Sequence, residues 1–249
     1  MIESIDRALA ILQLFLSDEK PLSITEISKR MGMHKSTVSR TIDTLEQRGF
    51  VTRQEENGKY WLGLQVYSLG MLYREKEPFH RTAYPYAKAL ARECRESVHI
   101  TTFAQTEGAY PQHVILEKIK APKTIDMAPP VGAIRPAYCS ASGKCLLAFS
   151  KPYLEKYIHC KLKKFTEYTI TDWDVLLQEL DAIRRDGYAV ERQEVELGMT
   201  CVAAPIFSQH KIVAAISVSG PISRITPEIE ATYVKAVQKT AEEITQSLI

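Results

Sequence analysis

The sequence predicts an α+β fold in two parts joined by a helix, and three observations carry that expectation. Residues 22–63 hold two short amphipathic segments separated by a glycine and followed by a pair of β-prone runs. Residues 64–77 have a helical pattern that stops at Pro78. Residues 79–249 mix short apolar β-rich runs with segments of helical period. At 249 residues the chain is long enough for two domains, with a sizeable core in the larger one.

The first element is an amphipathic helix over about residues 5–17. Ile5, Ala8, Leu9, Ile11, Leu12 and Phe15 recur at helical spacing, and the interspersed Glu3, Asp6 and Arg7 set it apart from a signal sequence. In Ser23-Ile24-Thr25-Glu26 the hydroxyl and the carboxylate three residues later can satisfy each other's free backbone donors, so a second helix opens there. Ile24, Ile27 and Met31 share its apolar face, and Gly32 supplies the tight turn that follows. A third helix spans about 34–48. Val38, Ile42 and Leu45 point inward from it, leaving Lys35, Ser36, Ser39, Arg40 and Asp43 outside.

After Gly49 come two β-prone runs, 50–53 and 59–62, around Glu56-Asn57-Gly58, where the Asn-Gly pair predicts a two-residue hairpin turn. Three helices and such a hairpin make a winged helix-turn-helix ending near Gly63. Short hydroxyls and long cations on one helical face suit the major groove, because Arg and Lys reach guanine acceptors or phosphates while Ser and Thr bond bases or backbone without blocking approach. Lys35, Ser36, Thr37, Ser39 and Arg40 are the candidate DNA contacts on the helix; Arg53 and Lys59, on the wing, are candidates for flanking phosphates or the minor groove. A protein-interaction module with a solvated charged face is the competing reading of the two helices, and the basic-edged wing argues against it. The formal net charge is only +2, and residues 1–75 contain about as many acids as bases, so contact with DNA depends on local placement rather than bulk charge.

Residues 64–78 read as a linker helix with Leu64, Tyr67, Met71 and Leu72 on one side, a stripe that packs either on another chain or on its own domain. Beyond it, helices are expected over 84–94, 139–149, 173–185 and 227–248, the third closed by Gly187. Strands are expected over 98–104 and 110–119, paired across Gly108, and over 188–190, 200–207 and 212–219. The last two form a hairpin through residues 208–211, so at least part of the sheet is antiparallel.

Taken together, several segments resemble the IclR family of transcriptional regulators over nearly the whole chain. They are Arg7-Ala8-Leu9-Ala10-Ile11-Leu12, Thr25-Glu26-Ile27, Lys35-Ser36-Thr37-Val38-Ser39-Arg40, Tyr60-Trp61-Leu62-Gly63, Ser142-Gly143-Lys144, Asp186-Gly187-Tyr188-Ala189, Glu194 with Gly198, Cys201-Val202-Ala203-Ala204-Pro205, and 214–221. The resemblance implies a winged helix-turn-helix domain over 1–63, the linker helix over 64–78, and a GAF-like α/β domain over 79–249 that binds a small organic acid or aromatic metabolite. It also implies a repressor working as a homodimer or homotetramer on double-stranded DNA with an inverted-repeat operator. By the same resemblance, Ala141, Ser142, Glu191, Cys201, Ser217 and Ser219 match the positions that hold ligand in members responsive to glyoxylate and pyruvate, and Met127, Arg135 and Met199 match the walls.

The residues themselves fit a carboxylate site. Small residues at 140–143 expose backbone N–H groups at a helix start, and Ser217 and Ser219, two apart on a strand, face one side. Position 191 is Glu where the shorter Asp is usual, and Arg135 stands where an apolar wall residue is usual. Arg135 either clamps a carboxylate, which suits a longer or doubly charged acid, or pairs with Glu191, or points to solvent.

Five cysteines, an odd number without a regular framework, fit a reduced, cytoplasmic chain, and no apolar run approaches a membrane span. No catalytic residue, metal ligand or cofactor is expected. The rival classes are a non-DNA-binding sensory protein and an enzyme with Cys139 or Cys201 as nucleophile and His99, His113 or His159 as base. The sequence shows no local signature for activating either thiol, and His159-Cys160 and Cys139 with Cys145 lack the paired short spacings of a zinc site.

Overall fold

A computed structural model describes residues 2–18, 20–104, 108–120 and 129–248. The chain divides into two compact units, Met1–Glu77 and Pro78–Ile249.

In the first unit, α1 (Glu3–Asp18), α2 (Ile24–Met31) and α3 (Lys35–Gln47) enclose Ile11, Phe15, Ile27, Val38, Ile42 and Leu45. The core is closed by Val51 and Tyr60 of the hairpin β1 (Val51–Arg53) and β2 (Tyr60–Leu62). Ser23 caps α2 reciprocally: its hydroxyl accepts the Glu26 N–H at 3.2 Å, and Glu26 Oε2 accepts the Ser23 N–H at 2.7 Å. Gly32, at φ +61°, ends the helix in a left-handed conformation that costs glycine little, and the chain turns into α3.

Two expectations for this unit change. The hairpin loop is longer than two residues: Gln54 N–H donates to the Lys59 carbonyl at 2.7 Å and Gly58 N–H to the Gln54 carbonyl at 2.9 Å, leaving four residues between. A two-residue type I′ turn needs positive φ at both central positions, and here Gly58 has it while Asn57 does not. Asn57 instead uses its side chain, accepting the Lys59 N–H at 2.8 Å. The helix α4 (Leu64–Lys76) buries none of its residues within this chain. Leu64, Tyr67 and Met71 are exposed, and so are Leu69, Leu72 and Tyr73, so its apolar groups surround it instead of forming one stripe.

The second unit is a six-stranded sheet between two helical layers. Its strands are β3 (Ser97–Phe103), β4 (Gln112–Ile119), β5 (Ile134–Pro136), β6 (Ala189–Arg192), β7 (Met199–Ser208) and β8 (Lys211–Pro221), in the order β5-β4-β3-β8-β7-β6. Every neighbouring pair is antiparallel, so the partial antiparallel character expected from one hairpin extends to the whole sheet. On one face α5 (Pro78–Cys94) and α9 (Pro227–Ser247) cover Val98, Ile100, Val202, Ala204, Ile216 and Val218. On the other, α6 (Ala141–Phe149), α7 (Lys151–Tyr157) and α8 (Trp173–Asp186) pack over Ala203 and Ala215. The two-residue period of the strands therefore sends His99, Thr101, Cys201, Ser217 and Ser219 to the α6 side.

Two helix starts move, and two elements are new. α5 starts at Pro78 rather than near residue 84, because a proline that lacks the donor to continue α4 is well suited to the first position of a new helix, where no donor is needed. α6 starts at Ala141 rather than Cys139, since Ser140 takes the cap. The short elements β5 and α7 are additions that periodicity could not signal at three and seven residues. Among the described residues no helix is long and apolar enough to cross a membrane.

Candidate functional site

The exposed face of α3 is one candidate surface. Lys35, Ser36 and Arg40 are exposed, and Thr37 and Ser39 half-buried beside them. His34 occupies the N-cap without a side-chain bond to the first turn, so the helix begins with donors open to an anion. The wing is tied to α3 by the Arg53 N–H, which donates to Glu46 Oε1 at 3.2 Å, and Arg53 itself is exposed. Lys59 differs from the other cations because its Nζ lies 3.2 Å from Glu26 Oε2, on the capping carboxylate of α2. Bonds from Ser23, and then from Lys59, hold the Glu26 carboxyl down at about 2.

The second candidate is a cleft between the start of α6 and the sheet, about 750 Å³ of empty space when the part open to solvent is counted. Ser140 shapes its rim: the hydroxyl accepts the Gly143 N–H at 3.1 Å and lies 3.3 Å from His113 Nδ1. Gly143 is required there, because a Cβ would sit 2.3 Å from the Ala137 carbonyl oxygen. Across the floor, strand register lines up Glu191 opposite Cys201, Cys201 opposite Ser219, Ser217 opposite His99, and His113 opposite Arg135. Cys201 Sγ donates to Ser219 Oγ at 3.1 Å, and Ser219 Oγ lies 3.5 Å from His99 Nδ1.

Charge in the cleft is tightly controlled. Glu191 is buried, and its Oε1 accepts the Glu194 N–H at 2.6 Å and the Val195 N–H at 3.4 Å. Burial outweighs those bonds and, helped by the nearby Glu194 carboxylate, pushes the Glu191 carboxyl up to about 7. Burial first, then Arg135 and His99, push His113 down to about 3, so its imidazole is neutral. Behind the cleft Lys144 is fully buried, its Nζ 2.7 Å from Glu179 Oε1 and hydrogen-bonded to Glu194 Oε1. Burial alone would depress that ammonium, but the two carboxylates outweigh it and hold it above its ordinary range. Arg135 donates to the Ile134 carbonyl at 3.3 Å, and among the described residues it forms no ion pair with Glu191.

Of the residues singled out from the sequence, Arg135, Ala141, Ser142, Glu191, Met199, Cys201, Ser217 and Ser219 all line this one cleft. Met127 lies outside the described residues. The structure adds His99, Thr101, His113, Ile115, Pro129, Val195 and Glu196 to the walls, beside Ser140 of the expected helix start. Period-two alternation in 97–103 marks the first two as sharing a face, but that signal cannot say which face meets α6. A bulge hides His113 and Ile115: Ile100 pairs with Glu117 and Thr101 with Ile115, so Leu116 is skipped and β4 changes phase. The thiols of Cys139 and Cys201 are both raised, chiefly by burial, which keeps them protonated and poor nucleophiles.

Comparison with known proteins finds relatives over nearly the whole chain. The model of the IclR helix-turn-helix domain matches residues 4–55, and that of the bacterial transcriptional regulator IclR C-terminal region matches residues 72–246. The transcriptional repressor IclR of Escherichia coli is 30% identical over 247 residues, covering 98% of this chain and 89% of that protein. The regulator KdgR of the same organism is 32% identical over 250 residues, covering 99% and 93%. The crystal structure of an IclR transcriptional regulator from Alicyclobacillus acidocaldarius superposes with a TM-score of 0.87 at 25% identity, over 99% of this chain and 98% of that one. An IclR homolog from Microbacterium hydrocarbonoxydans, crystallised with 4-hydroxybenzoate, shares the fold with a TM-score of 0.82 at 22% identity, over 99% of each chain.

Proposed function

The chain belongs to the IclR family of bacterial transcriptional regulators, and from that premise we propose that it is a cytoplasmic repressor whose grip on an inverted-repeat operator is set by a small carboxylate bound in the α6 cleft. The observation that carries the ligand half of this reading is convergence. The first turn of α6, with N–H groups that have no partner inside the helix, opens into the same cleft as Ser217, Ser219 and Cys201. A carboxylate there meets backbone donors and hydroxyls in a partly enclosed setting, each bond contributing on the order of 1 kcal/mol. Lys35, Ser36, Ser39 and Arg40 read the major groove, and Arg53 contacts phosphate. Lys59 acts through the wing, steadying it against α2, instead of through the DNA.

The protein is not an enzyme on this reading. Cys201 faces the cleft with His99 two bonds away through Ser219, yet its thiol is held protonated by enclosure and by the Glu191 carboxyl, the opposite of what a nucleophile needs. Ligand changes DNA affinity only by as much as its binding differs between the assemblies that DNA selects. The test is an effector titration of operator binding with the full chain, in wild type and in Ser217→Ala with Ser219→Ala. The double variant is expected to lose the response and keep ligand-free operator affinity within about twofold, because the serines and α3 lie in different units. An unchanged response removes these serines from the site.

A further inference from the structure

We propose that the ligand of the α6 cleft is a monocarboxylic acid carrying several hydroxyl groups along an open chain or small ring, rather than an aromatic, aliphatic or dicarboxylic acid. This rests on the cleft being the effector site, and it is carried by what lies beyond the carboxylate end.

Thr101 is the informative residue. It is 1% exposed, it lines the cleft, and its hydroxyl meets no hydrogen-bond partner among the described residues. An orphaned buried hydroxyl costs stability, which a ligand hydroxyl reaching it recovers. Thr101 is on β3, two residues from His99, while Ser217 faces His99 from β8, so donors and acceptors continue along the floor of the cleft. All of these groups bond hydroxyls readily. His113, neutral in this setting, offers one donor and one acceptor, as a hydroxyl does, and gives no positive charge to a second carboxylate.

The charges exclude the alternatives. Arg135 is the one arginine or lysine among the described residues lining the cleft, and beside it stand the Glu196 carboxylate and Glu191, which takes on charge as the pH passes about 7, so a second ligand carboxylate is disfavoured. No Phe, Tyr or Trp is among those lining residues, and carbon is presented mainly by Ile115, Pro129, Val195 and Met199. Those walls suit the C–H faces of a hydroxylated chain and give an aromatic ring nothing to stack on. A plain fatty acid would leave Thr101 and the floor hydroxyls desolvated without partners, and sites built to bond hydroxyls reject analogues that lack them.

The experiment is calorimetric titration of the full-length protein with D-gluconate, D-galactonate and D-arabinonate, against hexanoate, benzoate and succinate. At least one of the hydroxylated acids is expected to bind ten or more times tighter than each of the other three. Thr101→Val, which keeps shape and removes the hydroxyl, is expected to weaken that acid about fivefold, leave hexanoate unchanged and leave the melting temperature at or above wild type. If hexanoate, benzoate or succinate binds as tightly as the best hydroxylated acid, the hydroxylated class is wrong while the carboxylate site stands. If Thr101→Val leaves all affinities unchanged, the part given to Thr101 is wrong. Binding by none of the six acids overturns the carboxylate reading together with this one.

Discussion

Glu191 is held by the backbone N–H of Glu194 at 2.6 Å, and the carboxyl of Glu194 is in turn bonded to Lys144. The cleft's one deeply buried acid is thereby connected to the buried ion cluster behind α6 by a single turn of chain. The ionisation of Glu191 and the integrity of that cluster are therefore linked through one short segment.

Stability should fall with pH across the range set by Glu191. Its folded value of about 7 lies above the ordinary 4.5, so both states are protonated below about 4.5, the unfolded chain alone ionises between 4.5 and 7, and the full cost persists above 7. A shift of that size corresponds to about 3 kcal/mol. Glu191→Gln keeps the acceptor for the Glu194 and Val195 N–H groups and is expected to flatten the decline between pH 5 and 8. Chemical unfolding of wild type and variant at both pH values checks it, and parallel pH curves refute it.

Removing Lys144 should be far more costly than its single position suggests. Lys144→Met leaves Glu194 buried with its counter-charge gone, and the loss of one partner of a buried pair is typically about 3–5 kcal/mol. Replacing Lys144 and Glu194 together is expected to recover part of that loss. Urea titrations of the two variants decide whether the cost arises from the stranded charge or from packing.

Arg40→Ala is expected to weaken operator binding by about 1–3 kcal/mol and to relax preference at one base pair per half-site, whereas Arg53→Ala should weaken all sequences alike and flatten the salt dependence. Equal losses on specific and random duplex for both variants would show that the division of labour between helix and wing is wrong. Lys59→Ala, with its ammonium on Glu26, should act mainly on stability of the first unit.

The exposed apolar residues of α4 should mediate assembly. Leu64 and Tyr67 are 76% and 64% exposed in the isolated chain, a poor arrangement for a helix left in water. Sedimentation of Leu64→Glu with Tyr67→Glu is expected to show dissociation at concentrations where wild type is at least dimeric. A wild-type monomer at and above micromolar concentration sinks the proposal.

The local elements needed little beyond the chain itself. The Ser23–Glu26 cap, the Gly32 turn, the inward Val38, Ile42 and Leu45, and the glycine that ends α8 all depend on neighbours within a few residues, where hydrogen bonding and period are readable directly. The eight cleft residues that a family resemblance supplied are spread over β5, α6, β6, β7 and β8, and their shared cleft depends on register. What only tertiary structure decided was which face of each strand meets α6, because a period of two is blind to that choice and the skipped Leu116 reverses it within β4. The same holds for charge. Glu191 and Lys144 are equally plausible on paper as surface ions, and their ionisation follows from burial and from partners brought together across long stretches of sequence. Sequence determines what the chain can form locally; enclosure, which arises only when distant strands and helices close on one another, decides what those groups can bind.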